Sequence, residues 1–142
     1  MKHLLTILSF FTILSCHTAQ TTQAVSPTPL PGAKPAGFVT WDKKMVDLGP
    51  VKKGEKRTTF FEFTNTSGQD IQIDIVDACE CTHIEFPRGV FAPGQKGRLD
   101  VEFDSKDKDA DETIGITVVF KQNDEKGNPR IESVEYKFGL VK

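Results

Sequence analysis

Three side chains with soft or borderline donor atoms stand two residues apart: Cys79, Cys81 and His83. In an extended strand alternate residues share a face, so the spacing predicts both thiols and the imidazole on one side. Thiolate and imidazole together suit Cu(I) or zinc. Distance restrains that reading. Two residues of strand span about 6.7 Å and four about 13 Å, whereas sulfurs sharing a tetrahedral zinc sit about 4 Å apart. The cysteines converge with a modest bend, but His83 needs a bulge or turn to join them. A fourth ligand is also wanted, and Glu80 points the other way in a regular strand. A Cys79–Cys81 disulfide meets a related limit, because about 6.7 Å is the upper edge of what the bond bridges. So short a ring stabilises little by loop entropy and is readily reduced. Thiol chemistry also wants a nearby cation, which His83 or Arg88 would supply against Glu80 and Glu85. Structural thiols, a metal site and a thiol–disulfide couple therefore all stand as readings of this segment. The Cys-x-x-Cys on a helix expected of thioredoxin-like chemistry is not present.

The chain has 142 residues and 3 cysteines, an odd number that disulfide pairing alone does not absorb. The third, Cys16, follows Met-Lys-His and an apolar run over residues 4–14 that is too short to span a bilayer and fits a secretory signal. Ile13-Leu14-Ser15-Cys16 resembles a bacterial lipobox. That resemblance implies residues 1–15 as a lipoprotein signal peptide, cleavage before Cys16 and lipidation of its thiol, with the membrane as a partner through the lipid anchor. Two or three acyl chains anchor stably. No Asp follows Cys16, and His17-Thr18-Ala19-Gln20 carries no acidic run, so the expected location is the cell envelope, at the outer membrane facing the periplasm. Residues 16–37 then form a tether containing Pro27, Pro29, Pro31 and Pro35 and no hydrophobic period. As a flexible chain it reaches on the order of 25 Å.

Other chemistries are disfavoured. The 18 Lys and Arg against 20 Asp and Glu give a net charge of −2 without a basic patch, so no nucleic-acid partner is expected. Glycines are scattered in turns rather than gathered in a phosphate loop. The acidic stretch over residues 104–112 fails the calcium-loop template begun at Asp107, because Glu112 stands where Gly is required and Val118 where Glu is required. One His beside the cysteines makes no Ser-His-Asp set, and the carboxylates fall in loops or at solvent parity. No catalytic residue and no cofactor are expected.

The positioning elements are strands. Thr59, Phe61 and Phe63 alternate with Thr58, Phe60, Glu62 and Thr64; Ile71, Ile73 and Ile75 alternate with Gln72 and Asp74. The same period of two runs through Leu99, Val101 and Phe103, through Ile114, Ile116, Val118 and Phe120, and through Val134, Tyr136, Phe138 and Leu140. Gly49-Pro50, Gly54, Ser67-Gly68, Pro93-Gly94 and residues 123–129 read as turns. A first strand near residues 40–48 and a short one near 82–86 complete about seven. The expected fold is all-β, an immunoglobulin-like antiparallel β-sandwich over residues 38–142. Trp41 reads as a core-edge residue. Phe60, at the polar parity, reads as partly covered or as part of a partner surface.

The ordered string Val46-Asp47-Leu48-Gly49, Phe61-Glu62-Phe63-Thr64-Asn65, Ala78-Cys79-Glu80-Cys81-Thr82, Pro93-Gly94-Gln95 and Val101-Glu102-Phe103-Asp104 resembles the DUF1573 family of bacterial proteins, common in Bacteroidetes. The resemblance covers roughly residues 41–141. It implies a domain similar to the ASPM, SPD-2 and hydin group and to major sperm protein. Glu80 replaces the usual Gly between the cysteines. The family carries no established activity. A non-enzymatic binding or scaffold role toward an envelope protein is the leading expectation, and metal or thiol-redox work at Cys79, Cys81 and His83 the alternative.

Overall fold

A computed structural model describes residues 37–141 of the chain. The expected signal peptide, Cys16 and all of the tether before Gly37 lie outside the described residues.

Among the described residues nine strands follow one another: β1 (Val39–Trp41), β2 (Met45–Lys52), β3 (Lys56–Asn65), β4 (Ile71–Asp77), β5 (Thr82–Glu85), β6 (Val90–Phe91), β7 (Lys96–Asp104), β8 (Glu112–Asn123) and β9 (Pro129–Val141). They make a four-stranded sheet ordered β1-β3-β7-β5 and a five-stranded sheet ordered β2-β9-β8-β4-β6. The alternation read from the sequence is the reason they face each other. Phe61, Phe63, Leu99, Val101 and Phe103 of the first sheet are buried against Ile116, Val118, Phe120, Val134, Tyr136 and Phe138 of the second. Burying each such side chain stabilises the fold by about 1.5–3 kcal/mol. Aromatic edges interlock across the layer: the Phe63 ring lies 5.8 Å from Phe120 and 5.1 Å from Phe91. Gly97 makes that arrangement possible, since a Cβ there would overlap the Phe63 ring and come within 2.8 Å of Phe91. Trp41 is buried at the end of this cluster, 5.3 Å from Phe63.

Three local expectations are corrected. The stretch near residues 40–48 is not one strand. It breaks after Trp41, and β1 pairs antiparallel with β3 while β2 pairs parallel with β9 in the other sheet. The chain thereby serves an edge of both sheets, which raises the strand count and makes the sandwich incompletely antiparallel. Gly49-Pro50 is a bulge inside β2 rather than a turn between strands. Gly49 takes φ of 69° there, and its N–H donates to Asp47 Oδ1 at 2.8 Å. The third correction is in β4. Its pairing with β8 shifts between Ile73 and Ile75, so one extra residue enters the strand. Ile73 stays buried, Ile75 turns to solvent at 55% exposure, and Val76 takes the core-side position.

Two buried polar side chains lock loops to this core. Asn65 Nδ2 donates to the carbonyls of Gln69 and Phe91, at 2.7 and 2.9 Å, while Oδ1 accepts from the N–H and hydroxyl of Ser67. Ser105 Oγ donates toward the carbonyls of Lys52 and Glu55. Both of these side chains find partners, as polar groups in a dry interior usually do; the buried Trp41 Nε1 and Arg130 Nε have none among the described residues.

Candidate functional site

The segment singled out by its cysteines is not extended. After β4 the chain turns through Glu80 and Cys81, closed by a Thr82 N–H to Cys79 carbonyl bond of 2.9 Å, and only then enters β5. The turn shortens the Cα separation of Cys79 and Cys81 to 5.2 Å, well inside bridging range, and the two form a disulfide. The Asp104 N–H donates to the Cys81 carbonyl at 2.9 Å, fastening the turn to the end of β7.

From Thr82 onward β5 alternates. Thr82 and Ile84 face inward, while His83 and Glu85 are exposed. His83 therefore stands on the outer face of the four-stranded sheet, paired across to Glu102, with its ring 3.9 Å from Glu85. The structure brings Cys79 to Cys81 and places His83 on a different surface, because a turn does not preserve the parity of a strand. Among the described residues no group of three or more His, Cys, Asp or Glu is arranged to hold a metal ion.

The sulfurs find a different neighbour. Thr82 Oγ1 lies 3.3 Å from Cys79 Sγ and 3.7 Å from Cys81 Sγ, and 2.6 Å from the Tyr136 hydroxyl. Tyr136 is wholly buried, reaching from β9 of the opposite sheet. Burial pushes its phenol up from the ordinary value, and the Thr82 hydrogen bond works against that only in part. Tyr136 is thus a phenol that keeps its proton. Thr82 closes the Cys79-Glu80-Cys81-Thr82 motif, beside the cysteines. Tyr136, the single tyrosine, carried no signal beyond core parity. On their outer side both cysteines line a surface hollow of about 440 Å³ with Glu80, Asp104, Lys106, Asp107 and Lys108.

The outer face of the four-stranded sheet is a grid of paired charges around Phe60. Arg98 lies 4.0 Å and Lys43 4.7 Å from the Phe60 ring centre. Lys56 bonds Glu102 at 2.7 Å, and Arg98 bonds Asp100 at 2.6 Å. The acidic stretch after β7 is likewise engaged internally. Lys53 pairs with Asp109, Lys108 with Glu112, and Asp111 accepts the Leu140 N–H.

The outer face of the five-stranded sheet differs. Ile75, Val119 and Ile131 are direct neighbours on β4, β8 and β9. Ile75 and Ile131 are 55% and 59% exposed. Asp77, Thr117 and Ser133 form the next outward row. The β4 edge beside Ile75 is little protected, since β6 pairs only with Ile71 and Gln72.

With this geometry, the Asn65 lock and the Cys-Glu-Cys-Thr turn fall in one stretch. The family profile of DUF1573, a protein of unknown function, matches residues 39–134. The chain belongs to the DUF1573 family. No curated protein matches it. Among solved structures it resembles the VesB protease of Vibrio cholerae, with 13% identity and a TM-score of 0.59, over 72% of this chain and 32% of that one. It resembles equally a Porphyromonas gingivalis W83 protein of unknown function, with 17% identity and a TM-score of 0.59, over 72% of this chain and 46% of that one. The ASH/PapD-like domain 7 of human CEP192 aligns over 86% of this chain and 96% of its own, at 12% identity and a TM-score of 0.53. This chain spans about a third of the protease's length and under half of the Porphyromonas protein's. At these identities the likeness establishes the fold, an immunoglobulin-like, PapD-like β-sandwich.

Proposed function

We propose that this family member is a lipid-anchored envelope protein whose sandwich domain works as a non-enzymatic binding or scaffold module for a protein partner. The observation that carries the reading is the Ile75–Val119–Ile131 row, which lays three branched aliphatic side chains across adjacent strands with polar residues beside them. An apolar centre with a polar margin is how protein-binding surfaces are built. The scant cover on the β4 edge adds a stretch where an extended partner segment can pair with backbone. The lipobox-like Ile13-Leu14-Ser15-Cys16 supports the anchor, and the spacer behind it supports a domain held away from the membrane.

The test uses the full chain in its own envelope. A photoreactive residue replacing Ile131 is expected to give a discrete protein adduct that Ile75→Lys removes while the thermal transition stays in place. The same residue at Glu62, on the other sheet, is expected to give none. Identical adducts from both positions, or none from Ile131, would reject the binding face. Cys16→Ser is expected to move the chain from the membrane fraction to the soluble one, and an unchanged membrane fraction would reject the anchor.

A further inference from the structure

The disulfide joins nothing that is not already joined. Cys79 and Cys81 are two residues apart in a single turn. That turn has its own backbone hydrogen bond, and a second one fastens it to β7. A cross-link in this place restricts the unfolded chain little. What surrounds it is suited instead to opening it. One side of the bond faces the hollow lined by Glu80, Asp104, Lys106, Asp107 and Lys108. On the other side stands a hydroxyl chain running from Tyr136 through Thr82 to sulfur, with Cys79 Sγ the nearer of the two.

We propose that Cys79–Cys81 is a thiol–disulfide exchange site whose substrate is an accessible thiol pair on another protein, with Thr82 as its positioning residue. One partner thiolate enters from the hollow and attacks Cys81 Sγ. A sulfur–sulfur bond forms between partner and Cys81 as the Cys79–Cys81 bond breaks, and the electron pair leaves on Cys79 Sγ. The Thr82 O–H donates to that thiolate while its oxygen accepts from Tyr136, so charge appearing at the half-buried sulfur meets a donor already in place. The partner's second thiolate then attacks its own mixed-disulfide sulfur and releases Cys81. The balance is two electrons and two protons moved from the partner, which ends as a disulfide, to this chain, which ends as a dithiol. The raised phenol of Tyr136 keeps the relay protonated throughout. His83 takes no part, because it stands on the outer sheet face. At this turn the proposal replaces the non-enzymatic part of the reading above with a redox step, while the apolar face is not used and the two survive or fail separately.

The experiment equilibrates the full chain, carrying Cys16→Ser so that only two thiols remain, in buffers of reduced and oxidised glutathione near neutral pH. Acid quenching, alkylation and mass measurement then count free thiols on the peptide containing residues 79–81. Reversible gain of two alkyl groups within the glutathione range, with the near-ultraviolet dichroism of the folded domain preserved, is the expected result. A bond that opens only in denaturant, or a reduced chain that loses its fold, would overturn the proposal in favour of a structural link. Thr82→Val is expected to slow opening about tenfold, the scale of one hydrogen bond to a charged group, and Thr82→Ser to restore the rate. Should Thr82→Val fail to fold, Tyr136→Phe probes the same chain one hydroxyl further back. If folded Thr82→Val or folded Tyr136→Phe opens at the parental rate, the relay is refuted.

Discussion

The two sheets share one core and present opposite outer faces. On the four-stranded sheet, outward positions carry Thr58, Phe60, Glu62, His83, Glu85, Arg98, Asp100 and Glu102; Glu102 is answered by Lys56 on the adjacent strand, and Arg98 and Asp100 answer each other along β7. The lone aromatic there is shared by Arg98 and Lys43. On the five-stranded sheet the matching outward row is Ile75, Val119 and Ile131, with no cation above it among the described contacts. Alternation alone does not distinguish these faces, because both sheets bury every second residue. The difference arises in what the exposed half is given to pair with. One face satisfies itself, and the other retains apolar surface that water covers poorly.

The comparison rests on the common core, so the largest disruption should erase both faces together. Phe63→Ala removes a ring that touches Trp41, Phe91 and Phe120, and is expected to cost about 3–5 kcal/mol in chemical unfolding. A loss of stability confined to the four-stranded sheet in hydrogen exchange would break the idea of a single cooperative layer. Gly97→Ala pushes outward from the same point. Its added methyl meets Phe63 and Phe91, and overpacking of this kind should cost about 1–3 kcal/mol.

Smaller changes separate the faces. Phe60→Ala withdraws the surface shared by two cations and should cost about 1 kcal/mol. Ile131→Lys, on the other sheet, should leave the midpoint within about 0.5 kcal/mol of the parent, since its side chain stands in solvent. Equal losses from the two variants would show that the apolar row is packed in the isolated domain.

The smallest effect belongs to the hairpin joining β8 to β9. The Asp124 carboxylate is held below the ordinary 3.8 chiefly by the N–H of Asn128, with the N–H of Lys126 adding to it. The folded chain therefore binds fewer protons there than the unfolded chain. Its contribution is complete above the ordinary carboxylate value and declines as pH falls through the lowered one. Amide exchange at Lys126 and Asn128, corrected for intrinsic rate, should quicken over that acidic interval, and Asp124→Asn should abolish the dependence. Loss of protection spreading across the Ile75–Val119–Ile131 row would instead tie this turn to the sheet face.

Much of the sandwich was legible because its signals are local. Phe61, Phe63, Leu99, Val101, Ile116, Val118 and Phe120 all face inward as their period requires. Asn65 stands in its strand motif, but that its amide fastens the Ser67–Gln69 turn and β6 is visible only once those segments meet. Ile75 was misplaced because a bulge is a register choice between β4 and β8, and the alternating Ile71-Gln72-Ile73-Asp74-Ile75 pattern contains no mark of it. The candidate site was legible as a set of residue types and illegible as geometry. Cys79, Cys81 and His83 share parity only if the chain stays extended, and backbone hydrogen bonding closes a turn instead. Tyr136 lies 54 residues from Thr82 in sequence, and nothing near either position announces their hydroxyl contact.

By itself, then, the amino-acid order determined which side chains must leave water, and hence an all-β domain of two facing layers. It also determined that two cysteines would lie within reach of each other. Alternation and covalent proximity act over a few residues, so a linear reading captures them. Tertiary structure alone decided that β2 would lie parallel to β9, that Ile75 would join Val119 and Ile131 outside, and that a buried tyrosine would stand behind the disulfide. Each of those depends on register between distant strands, where one residue of slip exchanges the inner face for the outer.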